Sequence, residues 1–156
     1  MGEFAPVILL GLLVLILVSA GIEDARIREI SNWKNAAIAL LALPWWFAMG
    51  LSPWPDMAIQ LGIAVGVFAL FAAAFQFGMM GGGDVKMIAA LALWFPFNQL
   101  VTLLIIMSLA GGAITLVMLV EKWVRRRREQ PEVPYGIAIA IAALLTIREP
   151  IFNPFL

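Results

Sequence analysis

The chain has 156 residues, of which 63% are hydrophobic and only 13% are charged. Soluble domains are about half apolar and about a quarter charged, so this composition excludes an ordinary soluble globular protein and indicates a membrane protein. Ten basic residues balance ten acidic ones. A net charge of zero argues against nucleic acid as a partner.

Histidine and cysteine are both absent from the sequence. Their absence excludes serine–histidine and cysteine–histidine catalysis, and it excludes zinc or haem held by either residue. We therefore expect no metal and no cofactor. Any proton chemistry falls to carboxylates, lysines or the single tyrosine.

Six apolar segments follow one another along the chain, and each predicts a membrane helix because about 20 apolar residues cross the hydrocarbon core. They are residues 4–22, 35–51, 57–80, 87–97, 100–120 and 133–147. The fourth and sixth are the shortest. No long polar stretch separates them, so we predict an all-α, polytopic membrane protein with about six transmembrane helices, no soluble domain and a single domain over residues 1–156.

Positive charge is concentrated in three of the five linkers. Nine of the ten basic residues lie in the first, third and fifth linkers, and Arg148 is the tenth. Since lysine and arginine accumulate in short cytoplasmic loops, we predict that these linkers are cytoplasmic and that both termini are on the outer side. Aromatic residues near the outer side predict an interfacial belt: Trp45, Trp46, Trp54, Trp94 and Phe97.

Two acidic residues stand at the ends of predicted membrane helices on the basic side. Asp24 follows the first helix, and Asp84 follows three glycines and opens the fourth. Acidic groups in or near a bilayer are costly, which makes them candidates for function. Two carboxyls held close together share one proton, as in aspartic proteases. Glu23 adjoins Asp24 and fits the same role by position alone.

The segment GGGDVK at residues 81–86 has other interpretations. Asp84 is a good helix cap, and glycine-rich turns commonly precede helices. The glycines also leave room for another backbone to approach, which favours a peptide site. Lys86 by itself is typical of a charge that reaches the lipid headgroups. A phosphate-binding loop is not supported, because the GxxxxGK[ST] pattern is absent.

Three segments together resemble type IV prepilin peptidases. DARIREISN at residues 24–32 is similar to their D-x-R-x-R-x-I-P-N segment, and GGGDVK matches their GxGD motif and its usual V-K continuation. VPYG at residues 133–136 resembles the start of their last helix. The resemblance implies a GxGD membrane aspartic endopeptidase of the bacterial inner membrane. Such an enzyme removes the short basic leader from prepilins, with its active site facing the cytoplasm.

Carried over position by position, the resemblance makes Asp24 and Asp84 the catalytic pair. It places Gly81, Gly83 and Lys86 in the loop that meets the substrate. The expected partners are a membrane-embedded prepilin and the surrounding lipids. The basic run at residues 125–128 is expected to anchor the topology and meet anionic headgroups, and docking of pilus-assembly machinery there stays open.

Two departures from the family pattern are informative. Ser31 stands where the family usually has proline, which affects the shape of the linker rather than the chemistry. Bifunctional members carry a cysteine-containing domain between their first two helices and also N-methylate the product. The first linker here, at residues 23–34, contains no cysteine. The resemblance therefore implies the small, peptidase-only subgroup of the tight-adherence (Flp) type, without N-methyltransferase activity.

Two other functions remain open on the same sequence. A small transporter or proton-relay subunit would use Asp24 and Asp84 to carry ions. A non-catalytic scaffold of a secretion complex would need neither carboxylate.

The charge pattern predicts that residues 24 and 84 lie on the same face of the membrane. Cysteines introduced singly into the first and third linkers, in a chain that has none of its own, should react with membrane-impermeant labels from the same side. Labelling from opposite sides would separate the two aspartates and disprove their pairing.

Overall fold

The structure is a computed structural model that describes residues 4–125 and 133–152, with side chains described up to residue 147 in the second range. Within these residues it contains six α-helices and no strand, as predicted. The basic run beyond Arg125 lies outside the described residues. The helices are α1 (Phe4–Ile27), α2 (Asn32–Ala48), α3 (Ala58–Gln76), α4 (Gly82–Ala92), α5 (Phe97–Arg125) and α6 (Tyr135–Phe152). A kinked segment (Pro53–Met57), in which Trp54 has an extended backbone, leads into α3.

Three of the described helical stretches are long and apolar enough to cross a membrane: Phe4–Ile27, Pro53–Gln76 and Phe97–Arg125. At most 17% of the apolar window of each is buried inside the protein. The remaining surface carries large hydrophobic side chains, which is stable only against lipid. The chain is therefore a membrane protein whose outer helices face the hydrocarbon core.

Helix α4 is the centre of the packing, since α2, α3 and α6 all pack against it. Helix α1 packs against α2 and α6, and α5 packs against α6. Most of α4 is buried, including Val85, Met87, Ile88, Ala90, Leu91 and Ala92. Its 11 residues are too few to span a bilayer by themselves. The neighbouring helices cover it, which explains why its apolar run is short.

Helix α1 extends further than the apolar run predicts. The run ends at Ile22, whereas the helix continues to Ile27 and includes Asp24 in its last turns. Glu23, Ala25 and Arg26 are good helix formers, so the end of an apolar run does not mark the end of the helix. Arg28 then adopts a φ of 59°, the left-handed conformation that commonly ends helices.

The expectation of an aromatic belt is wrong for two of its members. Trp46 and Trp94 are 6% and 4% exposed and lie within the helix packing. Trp46 donates its indole N–H to the Leu93 carbonyl at 2.7 Å, and Trp94 donates to the Ile38 carbonyl at 2.8 Å. These bonds tie α2 to the end of α4. Trp54, at 82% exposed, remains on the surface.

Gln60 of α3 is a buried polar side chain that holds the end of α4. Its Nε2 donates to the carbonyls of Ala92 and Phe95, each at 2.6 Å. Ala92 is the last residue of α4 and Phe95 lies beyond it, so no later N–H of α4 reaches these carbonyls. The amide thereby fixes α3 against the centre of the bundle.

We predict that Gln60→Leu destabilises the protein by about 1–3 kcal/mol, because it leaves two carbonyls without this donor. The measurement is thermal unfolding in detergent, where the midpoint should fall. Gln76→Leu, at the exposed end of the same helix, is the matched control and should leave the midpoint unchanged. An equal midpoint for the two variants would contradict the assignment.

Candidate active site

Asp24 is buried in the last turns of α1, with 4% of its surface exposed. Its Oδ2 accepts the backbone N–H of Ile137 at 3.2 Å. Ile137 is in the first turn of α6, where N–H groups have no partner within their own helix. The last turns of α1 and the start of α6 therefore meet at this carboxyl.

Gly136 makes that contact sterically possible. A methyl group on its Cα would lie 2.8 Å from the Asp24 carboxyl carbon and 2.8 Å from Cδ1 of Ile30. Carbon atoms at such a distance overlap, so every residue with a side chain must displace a neighbour here. A glycine at this position lets Asp24 reach the backbone of α6.

Asp84 is buried at the start of α4, with 7% of its surface exposed. It occupies the third helical position, and its Oδ2 accepts the N–H of Gly81, the N-cap residue, at 3.3 Å. Asp84 is therefore not the N-cap residue itself, as its position after the glycines suggested, but it caps the helix start from the third position. One carboxylate oxygen makes that bond, so capping does not occupy the whole group.

Ile30 lies between the two aspartate-bearing elements. Its side chain reaches Gly136 beside Asp24, and a methyl group at Gly83 would lie 3.3 Å from Ile30 Cβ. The Asp24 carboxylate is close enough to interact electrostatically with Asp84. Ile30 therefore packs beside both carboxyl-bearing segments, whose aspartates are 60 positions apart in the sequence.

Glu23 faces a different set of partners from its neighbour Asp24. One carboxylate oxygen accepts the backbone N–H of Ser31 at 3.1 Å and pairs with Lys34 Nζ at 3.0 Å. The other oxygen accepts the Ser31 hydroxyl. Lys34 also donates to the Ser19 carbonyl at 3.0 Å. Both Glu23 oxygens bond to Ser31 in the first linker. Of the two neighbouring acidic residues, Asp24 is therefore the one that contacts α6.

The other residues singled out from the sequence lie around Asp84. The Gly83 carbonyl accepts a hydrogen bond from Nδ2 of Asn35 at 3.1 Å, and the Gly81 N–H donates to Asp84 as described above. Lys86 is exposed and donates to Oδ1 of Asn32 at 2.8 Å. These bonds attach the glycine turn to the start of α2.

Several residues of the site have weak signals in the sequence. Ile30 and Asn32 match specified positions of the D-x-R-x-R-x-I-P-N segment that begins at Asp24, and Gly136 is the last residue of VPYG. Their contacts with the other elements could not be inferred from those letters. Asn35 and Lys34 carry no signal beyond an isolated polar residue at a helix start, yet both are buried.

The chemistry available to these residues is that of carboxyl groups. Within the described part of the chain, no cluster of three or more acidic residues is arranged to hold a metal ion. Two buried carboxyls near one another favour a state in which a single proton is shared. Such a pair both accepts a proton from water and donates a hydrogen bond to a carbonyl oxygen.

One of three comparisons with known proteins agrees with the first two segments that resemble prepilin peptidases, and the third segment lies outside the match. No curated protein and no solved structure matches the chain. The sequence model of the type IV leader peptidase family matches residues 11–116, which include Asp24, Asp84 and five of the six described helices at least in part. A match over most of the chain shows membership, and this protein belongs to the type IV leader peptidase family.

Proposed function

We propose that the chain is an aspartic endopeptidase that removes the leader from Flp-type prepilins at the cytoplasmic face of the inner membrane. Membership of the leader peptidase family supports the peptidase activity. Its substrate class, its catalytic pair and the side of the membrane on which it acts belong to the proposal. The observation that supports the pair is the position of Ile30, which lies against Gly136 beside the Asp24 carboxyl and against Gly83, the residue before Asp84.

The environment of the two carboxyls suits them to acid–base work. Each is buried, and each accepts one backbone N–H at the start of a helix, Asp24 from α6 and Asp84 from the residue that caps α4. Burial penalises two negative charges side by side, whereas the N–H groups stabilise one. The pair therefore holds one proton and one negative charge.

A pair with one ionised and one protonated carboxyl can hydrolyse a peptide bond. The ionised carboxylate takes a proton from a water molecule as the water oxygen bonds to the scissile carbonyl carbon. The protonated carboxyl donates its hydrogen bond to the carbonyl oxygen, where negative charge develops. When the carbon–nitrogen bond breaks, the leaving amine takes a proton from the pair, and the carboxyls return to their starting charge.

Two features of the chain support the peptidase-only, cytoplasmic assignment. The first linker is a short turn from Arg28 to Ser31, held to α1 by Glu23, and the described residues place no further domain between α1 and α2. Methyl transfer is therefore not part of the proposed activity. The basic residues of the first and third linkers favour the cytoplasmic side for the elements that carry Asp24 and Asp84.

Replacing either aspartate by asparagine should abolish cleavage. Asp24→Asn and Asp84→Asn each replace one of the two carboxyls by an amide of similar size, so the pair can no longer share a proton. We expect each substitution to slow processing by at least about 100-fold. The measurement is the size shift of a co-expressed Flp-type prepilin on a gel.

The control for this pair is Asp56→Asn. Asp56 is an exposed carboxylate that accepts hydrogen bonds from Ser52 before α3, so its loss should leave processing intact. Normal processing by either of the first two variants would disprove the catalytic pair. Ion flux that depends on Asp24 and Asp84, without cleavage of the prepilin, would favour a transporter instead.

Gly136→Ala tests the geometry rather than the charge. The added methyl group would lie 2.8 Å from the Asp24 carboxyl and must displace it from α6. We expect cleavage to fall by up to about 100-fold, the effect of misplacing a catalytic group by about 1 Å. Gly112→Ala is the matched control, because a methyl group there has nothing within 4 Å. Equal activity of the two glycine variants would contradict this account of the site.

A further inference from the structure

An open groove lies beside the glycine turn, on the surface of the bundle. Helices α2 and α3 both pack against α4, and the groove runs between them with α4 as its floor. Its volume is about 510 Å³. One end is polar, with Asn32 and Lys86 joined by a hydrogen bond across it. The remainder is lined by apolar side chains of α2, α3 and α4.

Asn35 lines this groove and has an unused acceptor. The residue is 5% exposed, and its Nδ2 donates to the Gly83 carbonyl. Its Oδ1 is the one buried side-chain polar atom without a hydrogen-bond partner among the described residues. A buried acceptor without a donor is destabilising, so a ligand that supplies an N–H or O–H would be favoured at this site.

The missing donor distinguishes a lipid acyl chain from a transmembrane helix as the occupant. A lipid acyl chain would fill the apolar part of the groove but has no donor for Asn35. A transmembrane helix has unused donors in one place only, the N–H groups of its first turn. The first turn of a substrate helix therefore matches this acceptor, and the rest of that helix matches the apolar groove.

From this complementarity we infer that the groove between α2 and α3 binds the apolar helix of the substrate, with the first turn of that helix at Asn35. The inference rests on the proposed function, since it takes the substrate to be a prepilin with its leader joined to an apolar helix. Asn35 is bonded to Gly83, the residue before Asp84. A helix that begins at Asn35 would thus place the leader junction beside the aspartates.

Small side chains along the groove favour a helix as its occupant. Ala36 and Ala39 line it from α2, Ala64 lines it from α3, and Ala89 lines it from α4. In membranes, small residues let helix backbones approach closely, and this contact drives their association. The alanines therefore provide a surface on which a substrate helix can lie parallel to α2.

Disulfide crosslinking tests this inference, because the chain has no cysteine of its own. Ala39→Cys is combined with Asp84→Asn, which keeps the prepilin uncut, and is oxidised with a Flp-type prepilin that carries single cysteines along the first two turns of its apolar helix. Leu40→Cys is the control. Leu40 is 66% exposed and lies about 100° further round α2, facing away from the groove.

Crosslinking at Ala39 and its absence at Leu40 support the groove as the binding site. No crosslink at Ala39, or equal crosslinking at both positions, overturns it. Cleavage of the same prepilin by the unmodified enzyme is scored separately. Cleavage without the Ala39 crosslink would refute the groove and leave the proposed function standing, whereas absence of cleavage would refute the proposed function and the groove with it.

A second measurement uses the active enzyme. Ala39→Trp fills the groove and should raise KM for the prepilin while kcat at saturation changes little, because the aspartates are not displaced. Leu40→Trp should leave both constants unchanged. A fall in kcat with KM unchanged in Ala39→Trp would show that the residue acts on the aspartates and not on binding, and would contradict the inference.

Discussion

Two carboxyl groups buried inside an apolar bundle need hydrogen-bond donors, and this need determines where the helices begin and end. Helix starts are the ready source of unused N–H groups in such a protein. Asp24 takes the N–H of Ile137 at the start of α6, and Asp84 takes that of Gly81 at the cap of α4. As a result α1, α4 and α6 converge at one point, although α1 is separated from α6 by more than a hundred residues.

That convergence depends on the absence of side chains at two positions. Gly136 has no space for a methyl group beside Asp24, and Gly83 has little beside Ile30. Ile30 fills the space between the two glycines and is itself buried. Because each glycine lies against Ile30, the backbones of the first linker, α4 and α6 approach closely, and the isoleucine side chain fills the space between them. A cavity left there would lower the stability of the packed interior. The glycines of the GGGD turn thus contribute to packing as well as to any room for substrate.

The sequence predicts the helices well and the interior poorly. Long apolar runs indicate a membrane helix whatever it packs against, so the six helices and the positions of Asp24 and Asp84 follow from it. Hydrophobicity does not distinguish lipid from protein as the neighbour, which is why the burial of Trp46 and Trp94 was not predicted. Contacts between distant elements, such as that of Ile30 with Gly136, depend on the packing of all six helices and leave no local pattern.

Ser31 shows how a departure from the family pattern fits the same structure. Its N–H and its hydroxyl both donate to Glu23, and proline has no N–H to donate. The Lys34 ammonium completes this network from within the protein. A rigid proline restricts the linker through its ring, whereas the serine restricts it through hydrogen bonds to α1. Either solution fixes the residue before it, Ile30, whose side chain packs beside Asp24 and Gly83. The linker therefore retains its position in the site although its sequence differs at this residue.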